Sequence, residues 1–205
     1  MSAPDLTRRA RPQQARSQAT LDRLLLVSAD LLEEFGVNGF NTNLLAQRAG
    51  LAVRAIYRYF PNKWAILVAM AERVGELERS WIGDLKHHSE ADLSTSVDHA
   101  IDGYFEAAKR HRGYAALRAA SQASPELREI DERNSRELQE DLAEGLRDLG
   151  VTIEDKQLRA LCLVIIESAN RLLDIALQAQ PEEAELLVTE LKRMLVALLR
   201  LYIQE

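Results

Sequence analysis

Apolar residues recur along this chain at spacings of three and four, and no stretch alternates with the period of two that a half-buried strand needs. Leu21, Leu24, Leu25, Ser28, Leu31, Leu32 and Phe35 form one helical stripe, which Gly36 is expected to stop, with Gly39 as a second turn residue. Asn41-Thr42-Asn43 offers capping side chains for a short helix from Leu44 to Ala49. Gly50 interrupts it, and a second short apolar run from Val53 to Phe60 precedes Pro61. A long helix is expected from Pro61, turning Leu67, Met70, Val74, Leu77 and Trp81 inward.

Further along, the segments lengthen. Ser, Thr and Asp residues at 89–96 are expected to cap a helix carrying Val97, Ile101, Tyr104 and Phe105, and Gly113 separates it from a helix through Leu117. Ser124-Pro125 reads as an N-cap and first helical residue for a helix to Leu149, closed by Gly150. Thr152-x-x-Asp155 resembles a capping box with Asp in place of the usual Glu or Gln, opening a helix to about Gln180. Pro181 opens the last helix, which ends near Ile203. The expected fold is all-α, with about nine helices and no internal repeat.

Composition narrows the class. The 205 residues are 47% apolar and 28% charged, with 9 Gly, 5 Pro and 1 Cys, which excludes fibrous, low-complexity and disordered chains. One cysteine cannot form an internal disulfide, and the first eighteen residues lack the apolar run of a signal peptide. No apolar run approaches the roughly 18 residues of a membrane span. A cytoplasmic location is therefore expected. The net charge of −6 argues against a nucleic-acid partner until it is divided. Residues 1–65 hold nine Lys/Arg against five Asp/Glu, a net +4, whereas residues 66–205 hold 17 against 27, a net −10. A local basic surface can hold phosphates whatever the total charge.

The stretch from Thr42 to Lys63 has the build of a helix-turn-helix. Two short helices that cross steeply need a tight turn, and Gly50 supplies it without a Cβ penalty. Leu45, Ala46, Ala49, Leu51 and Ile56 are small or apolar enough for close approach. The second helix then presents Val53, Arg54, Ala55 and Arg58 outward, as a recognition helix does in a major groove. Tyr59 and Phe60 read as core aromatics, and Tyr57 as a surface one.

In these residues the sequence closely resembles the tetracycline-repressor (TetR-type) family of bacterial transcription regulators. The matching positions are Thr42, Ala46, Ala49-Gly50-Leu51, Ile56-Tyr57-Arg58-Tyr59-Phe60 and Lys63, preceded by Gly36-Val37-Asn38-Gly39-Phe40. The likeness covers roughly residues 14–68. It implies a three-helix DNA-binding head on a helical body that dimerises and holds a small-molecule effector. By position, it makes Thr42 a cap and phosphate contact, and it has Tyr57 touch the DNA backbone. Lys63 would bind phosphate near the start of the following helix. Val53, Arg54, Ala55 and Arg58 become groove-lining or base-reading positions, with both arginines able to make a bidentate contact to guanine. Arg48 and Arg16 are further phosphate candidates, and Arg8, Arg9 and Arg11 could follow a minor groove. Two departures stand out. Ala52 replaces the family's frequent Ser, which leaves the recognition helix without a side-chain cap, and Arg54 replaces a frequent Gly or Ala, which should change base preference.

These signals divide the chain into a basic arm (1–13), a helix-turn-helix domain (14–62) and an effector-binding and dimerisation domain (63–205). The last two helices carry Leu158, Leu161, Cys162, Ile165 and Leu173, then Leu186, Leu191, Met194, Leu195 and Leu199, apolar on more than one stripe. One face can pack within the subunit and the other on a twofold mate, which the family resemblance implies as a homodimer joined through a four-helix bundle; a wide monomeric core is the alternative reading of the same pattern. An effector pocket is expected between the fourth and eighth helices, with Trp64, Met70, Trp81, Tyr104, Phe105, Tyr114, Arg118 and Asn170 as candidate lining. Aromatics at helical spacing serve equally well as plain core. His87-His88 lacks metal-ligand spacing, and no phosphate-cradling Gly-rich loop or nucleophile elbow occurs, so neither an enzyme nor a cofactor or metal is expected. The expected function is a homodimeric repressor that leaves a pseudo-palindromic operator on double-stranded DNA when a small molecule binds. Two alternatives stay open: a helical ligand-binding or scaffold protein whose helix-turn-helix only packs, and an effector-independent regulator or activator.

Overall fold

The computed structural model describes residues 5–6, 15–87 and 93–203, and among them every regular element is an α-helix. These are α1 (Ala15–Gly39), α2 (Thr42–Ala49), α3 (Val53–Tyr57), α4 (Lys63–His87), α5 (Leu93–Arg110), α6 (Tyr114–Ala123), α7 (Pro125–Asp148), α8 (Asp155–Ala176) and α9 (Pro181–Leu199). Arg8, Arg9, Arg11 and His88 lie outside the described residues, as do most of the expected capping residues before α5 and the side chain of Trp81.

The chain forms two compact units. The first comprises residues 1–74 and 111–132, and the second 75–110 and 133–205. In the first unit the predicted stripe of α1 is inward: Leu21, Leu24, Ser28 and Leu31 are fully buried. They pack with Phe40, Leu45, Ile56, Phe60, Ile66, Leu67, Leu117 and Leu127, each less than 2% exposed. Fully burying such side chains contributes about 1.5–3 kcal/mol each before conformational entropy is subtracted. Phe35 is different, being 44% exposed at the end of its stripe. Gly36 takes a positive φ of 62° with ψ 180°, so the regular helix stops there as expected, and a short further helical turn carries the chain past the kink to Gly39.

Several helix boundaries differ from the pattern-based expectation, each for a local reason. The cap of α2 is Asn41, not Thr42: its Oδ1 accepts from the Leu44 amide at 2.9 Å, while Thr42 is already the first helical residue. With three capping-type side chains in a row, sequence alone leaves the choice open, and the residue that takes the extended N-cap conformation is Asn41 (φ −150°, ψ 158°). Asn41→Ala is expected to destabilise the protein by about 1 kcal/mol and Thr42→Ala by clearly less, in paired urea unfolding curves. The reverse order would restore Thr42 as the cap. Helix α4 starts at Lys63, not Pro61, because the Asn62 side chain caps it through the Ala65 amide at 3.0 Å.

The capping box expected at Thr152 does not form. Asp155 is itself the first residue of α8, Glu154 stands at the N-cap without a side-chain bond, and Thr152 donates to the Gly150 carbonyl. Helices α8 and α9 end at Ala176 and Leu199, each a few residues earlier than the apolar pattern alone suggests.

In the second unit, Val97, Ile101, Tyr104 and Phe105 of α5 face inward as their period-four spacing requires. Helix α9 packs against both α5 and α8. Leu138, Leu142 and Leu146 of α7, Leu161, Ile165 and Leu173 of α8, and Leu191, Leu195 and Leu199 of α9 complete this core. Lys192 of α9 anchors to α5 through Asp102 at 2.7 Å and Asp98 at 3.5 Å. Cys162 is buried among these helices, and burial pushes its thiol up to about 11, so at neutral pH it stays a protonated packing residue.

Candidate nucleic-acid interface

The turn between α2 and α3 is built as the sequence demands. Gly50 adopts φ 64° and ψ 36°, its amide closes onto the last turn of α2, and the Leu51 amide donates to the Ala46 carbonyl at 3.0 Å. Leu45, Ala46 and Ala49 of α2 and Ile56 of α3 are buried, which docks both helices on the core of the first unit. Tyr59 and Phe60, 3% and 0% exposed, hold the chain after α3. Ala52 occupies the N-cap of α3 without a side-chain bond, as its residue type requires. With only one buried residue, α3 leaves the rest of its surface turned away from the core.

That outward surface collects most of the candidate interface. Arg54, Tyr57 and Arg58 are exposed, and Val53 and Ala55 are half-buried beside them. The Tyr57 hydroxyl lies 3.3 Å from Thr42 Oγ1, so the start of α2 and the end of α3 share one polar edge. Thr42 thus keeps a place at this edge although it does not cap the helix.

The cations differ in how they are held. Arg48 donates to Glu34 at 2.9 Å, Arg58 donates to the Tyr59 hydroxyl at 3.1 Å and lies over its ring, and Lys63 donates to the Val37 carbonyl at 3.1 Å. Lys63 also stands over the Trp64 ring at 4.9 Å. For Arg54 no ion pair or hydrogen bond is present among the described residues. Arg73 of α4 pairs with Asp22 of α1 and holds that carboxyl below its usual range.

A different site lies wholly within the second unit. A cavity of about 110 Å³ is bounded by α4, α5, α7, α8 and α9. Tyr104 and Asn170 from the expected lining are there. Glu78, buried at 7% exposure, also lines it and accepts a hydrogen bond from the Tyr104 hydroxyl at 3.1 Å. Glu78 falls one turn after Val74 on the inward stripe of α4, and an acid on an apolar stripe is the signal that could have singled it out.

Apart from Trp81, whose side chain lies outside the described residues, the other expected lining residues are elsewhere. Trp64, Met70, Tyr114 and Arg118 belong to the first unit, where Met70 and Tyr114 are buried and Arg118 pairs with Asp131 at 3.0 Å. His111 is in that unit too, and burial lowers its pKa from the ordinary 6.5. Phe105 borders a separate surface groove, with Lys109 over its ring at 4.4 Å.

A compact all-helical unit that carries two short helices at a glycine turn, with an arginine-bearing second helix facing outward, defines a helix-turn-helix regulator. Residues 24–70 match the family described as "Bacterial regulatory proteins, tetR family". Residues 92–199, more than half of the chain, match "Tetracyclin repressor-like, C-terminal domain". The protein belongs to the TetR family of transcriptional regulators.

Among known relatives, the class A tetracycline repressor protein from transposon 1721 of Escherichia coli is 45% identical over 49 residues, covering 24% of this chain and 23% of that protein. The chain therefore matches only about a quarter of that relative's length. A TetR-family transcriptional regulator from Streptomyces coelicolor is 26% identical with a TM-score of 0.65, over 89% of this chain and 99% of the other. A solved SmeT–triclosan complex is 22% identical with a TM-score of 0.67, over 92% and 93% of the two chains. No helix among the described residues is long and apolar enough to cross a membrane.

Proposed function

We propose that the protein is a homodimeric repressor that binds a pseudo-palindromic DNA operator through α2 and α3 and leaves it when a small molecule occupies the cavity of the second unit. The observation that carries this reading is the outward face of α3. Arg54 and Arg58 stand exposed on a helix whose only buried residue is Ile56, and the Thr42–Tyr57 edge lies beside them. Arginine forks match the acceptor pair of guanine, and the hydroxyls at the edge suit phosphate oxygens. The basic excess of residues 1–65 supports the phosphate term, and the acidic remainder limits non-specific attraction.

Dimerisation is supported by apolar side chains left outside the core of the second unit. Leu163 and Val164 on α8 are 45% and 52% exposed, and Leu186 and Met194 on α9 are 66% and 40% exposed. Large apolar side chains exposed on these two packed helices suit a partner subunit. A twofold dimer reads two half-sites about 34–36 Å apart, which is why the operator should be pseudo-palindromic.

Effector control is supported by the cavity and by the relative solved with triclosan. A ligand would act by binding one conformation more tightly than the other, and can shift the balance only by that difference.

Selection of bound sequences from a random oligonucleotide pool at physiological salt should enrich a two-half-site motif, and sedimentation should give a dimer. A pool that stays unenriched, or a monomer that binds DNA without salt dependence, would sink the reading.

A further inference from the structure

We infer that the cavity of the second unit takes an uncharged, apolar molecule no larger than a single ring, selected by volume and hydrocarbon contact and not by a charged head group. This inference rests on the cavity being the effector site and names the class of molecule it admits. Eighteen residues line the space, and fifteen of them are Leu, Ile, Val or Ala. Every bounding helix contributes: Ile82 of α4, Val97 of α5, Leu142 of α7, Ile165 of α8 and Leu195 of α9. An occupant therefore meets aliphatic side chains on all sides.

The three polar lining side chains do not call for a charged ligand. Glu78 accepts from the Tyr104 hydroxyl at 3.1 Å, and both residues have further interactions within the chain, so neither depends on an occupant. Asn170 is neutral and balances no charge. A charged group entering the space would give up its hydration for contacts that are mainly aliphatic, which is costly. Volume sets the upper limit. At about 110 Å³ the space is smaller than the roughly 150 Å³ apolar cavity that accepts benzene, so a single ring comes close to filling it and two fused rings require the wall to move. An occupant that fits adds dispersion contacts to the lining side chains, one that is too large displaces them, and binding to the folded state alone appears as added stability.

Thermal shift titrations of the full chain with benzene, naphthalene, benzylamine and benzoate, in sealed samples at neutral pH and equal free concentration, test this. Benzene at about ten times its Kd is expected to raise Tm by roughly 3–6 °C, and each of the other three is expected to bind at least about tenfold more weakly. Ala100→Leu, which extends a lining side chain into the space, should abolish the benzene shift, and Leu142→Ala, which enlarges it, should let naphthalene bind. The ranking of the four molecules on the unsubstituted chain stands as a test by itself if neither variant folds. Naphthalene, benzylamine or benzoate binding as tightly as benzene overturns the inference while leaving the cavity as a ligand site. No shift with any of the four overturns both. Benzene binding that leaves the selected operator bound, read by fluorescence anisotropy, upholds the ligand class and overturns the effector role.

Discussion

Replacing Arg54 with alanine is expected to weaken specific operator binding by about 1–3 kcal/mol, roughly 5- to 150-fold, and to relax sequence preference at one position of each half-site. Arg54 lies on the exposed side of α3 and no partner within the chain holds its guanidinium among the described residues. It can reach a base edge without first giving up an existing bond. Arg48, Arg58 and Lys63 each have a bond to exchange, with Glu34, Tyr59 and the Val37 carbonyl respectively. On the proposed reading, their truncation would remove a contact with DNA and an internal one together. Lys63→Ala should weaken binding to all sequences alike and lower the slope of log affinity against log salt by about one, which separates a phosphate contact from a base contact. Fluorescence anisotropy with the selected operator and single-base variants, at several salt concentrations, reads both effects. Unchanged affinity and unchanged base preference in Arg54→Ala would remove Arg54 from the interface.

The second large effect concerns stability. Gly113 precedes α6 with φ 77°, and a Cβ placed there would lie 2.8 Å from Ala29 Cβ and 2.9 Å from Ala29 Cα. Its amide also donates to Glu33 Oε1 at 2.7 Å, which ties the start of α6 to α1. Gly113→Ala therefore combines left-handed backbone strain with overlap against the backbone of α1 at the buried Ala29. About 3 kcal/mol of destabilisation is expected, or a Tm lower by roughly 6–12 °C in a chain of this size. Gly50→Ala is the control. It has nearly the same φ, but the nearest atom to its added Cβ is an Arg23 guanidinium nitrogen at 3.8 Å. Strain alone remains there, costing about 1–2 kcal/mol. Equal melting temperatures for the two variants would mean that the contact between α1 and α6 yields without cost.

The helix-turn-helix could be recognised in advance because its constraints are local. A glycine at a left-handed turn, small residues at a helix crossing and an uncapped Ala52 are each consequences of a few consecutive residues. The inward stripe of α1 follows from periodicity in the same way. The cap of α2 marks the limit: Asn41, Thr42 and Asn43 have similar capping chemistry, and only the folded backbone, extended at Asn41 and helical from Thr42, makes Asn41 the cap.

The cavity was far less legible. Helical period identifies an inward face but not the element opposite it, so Trp64, Met70 and Tyr114 looked as suitable as Tyr104 for a pocket. Packing placed them in the first unit and put Glu78, which the stripe of α4 could have flagged, beside Tyr104 and Asn170 in the second. Short-range pattern was enough for the all-helical fold, the helix-turn-helix and its outward arginines, because backbone hydrogen bonding, turn geometry and side-chain period act over a few residues. Which cations keep internal partners, which glycine is closed in by a neighbouring helix, and where a carboxylate faces an apolar cavity emerged only with the tertiary structure. Those properties depend on side chains that packing brings together from positions far apart in the chain.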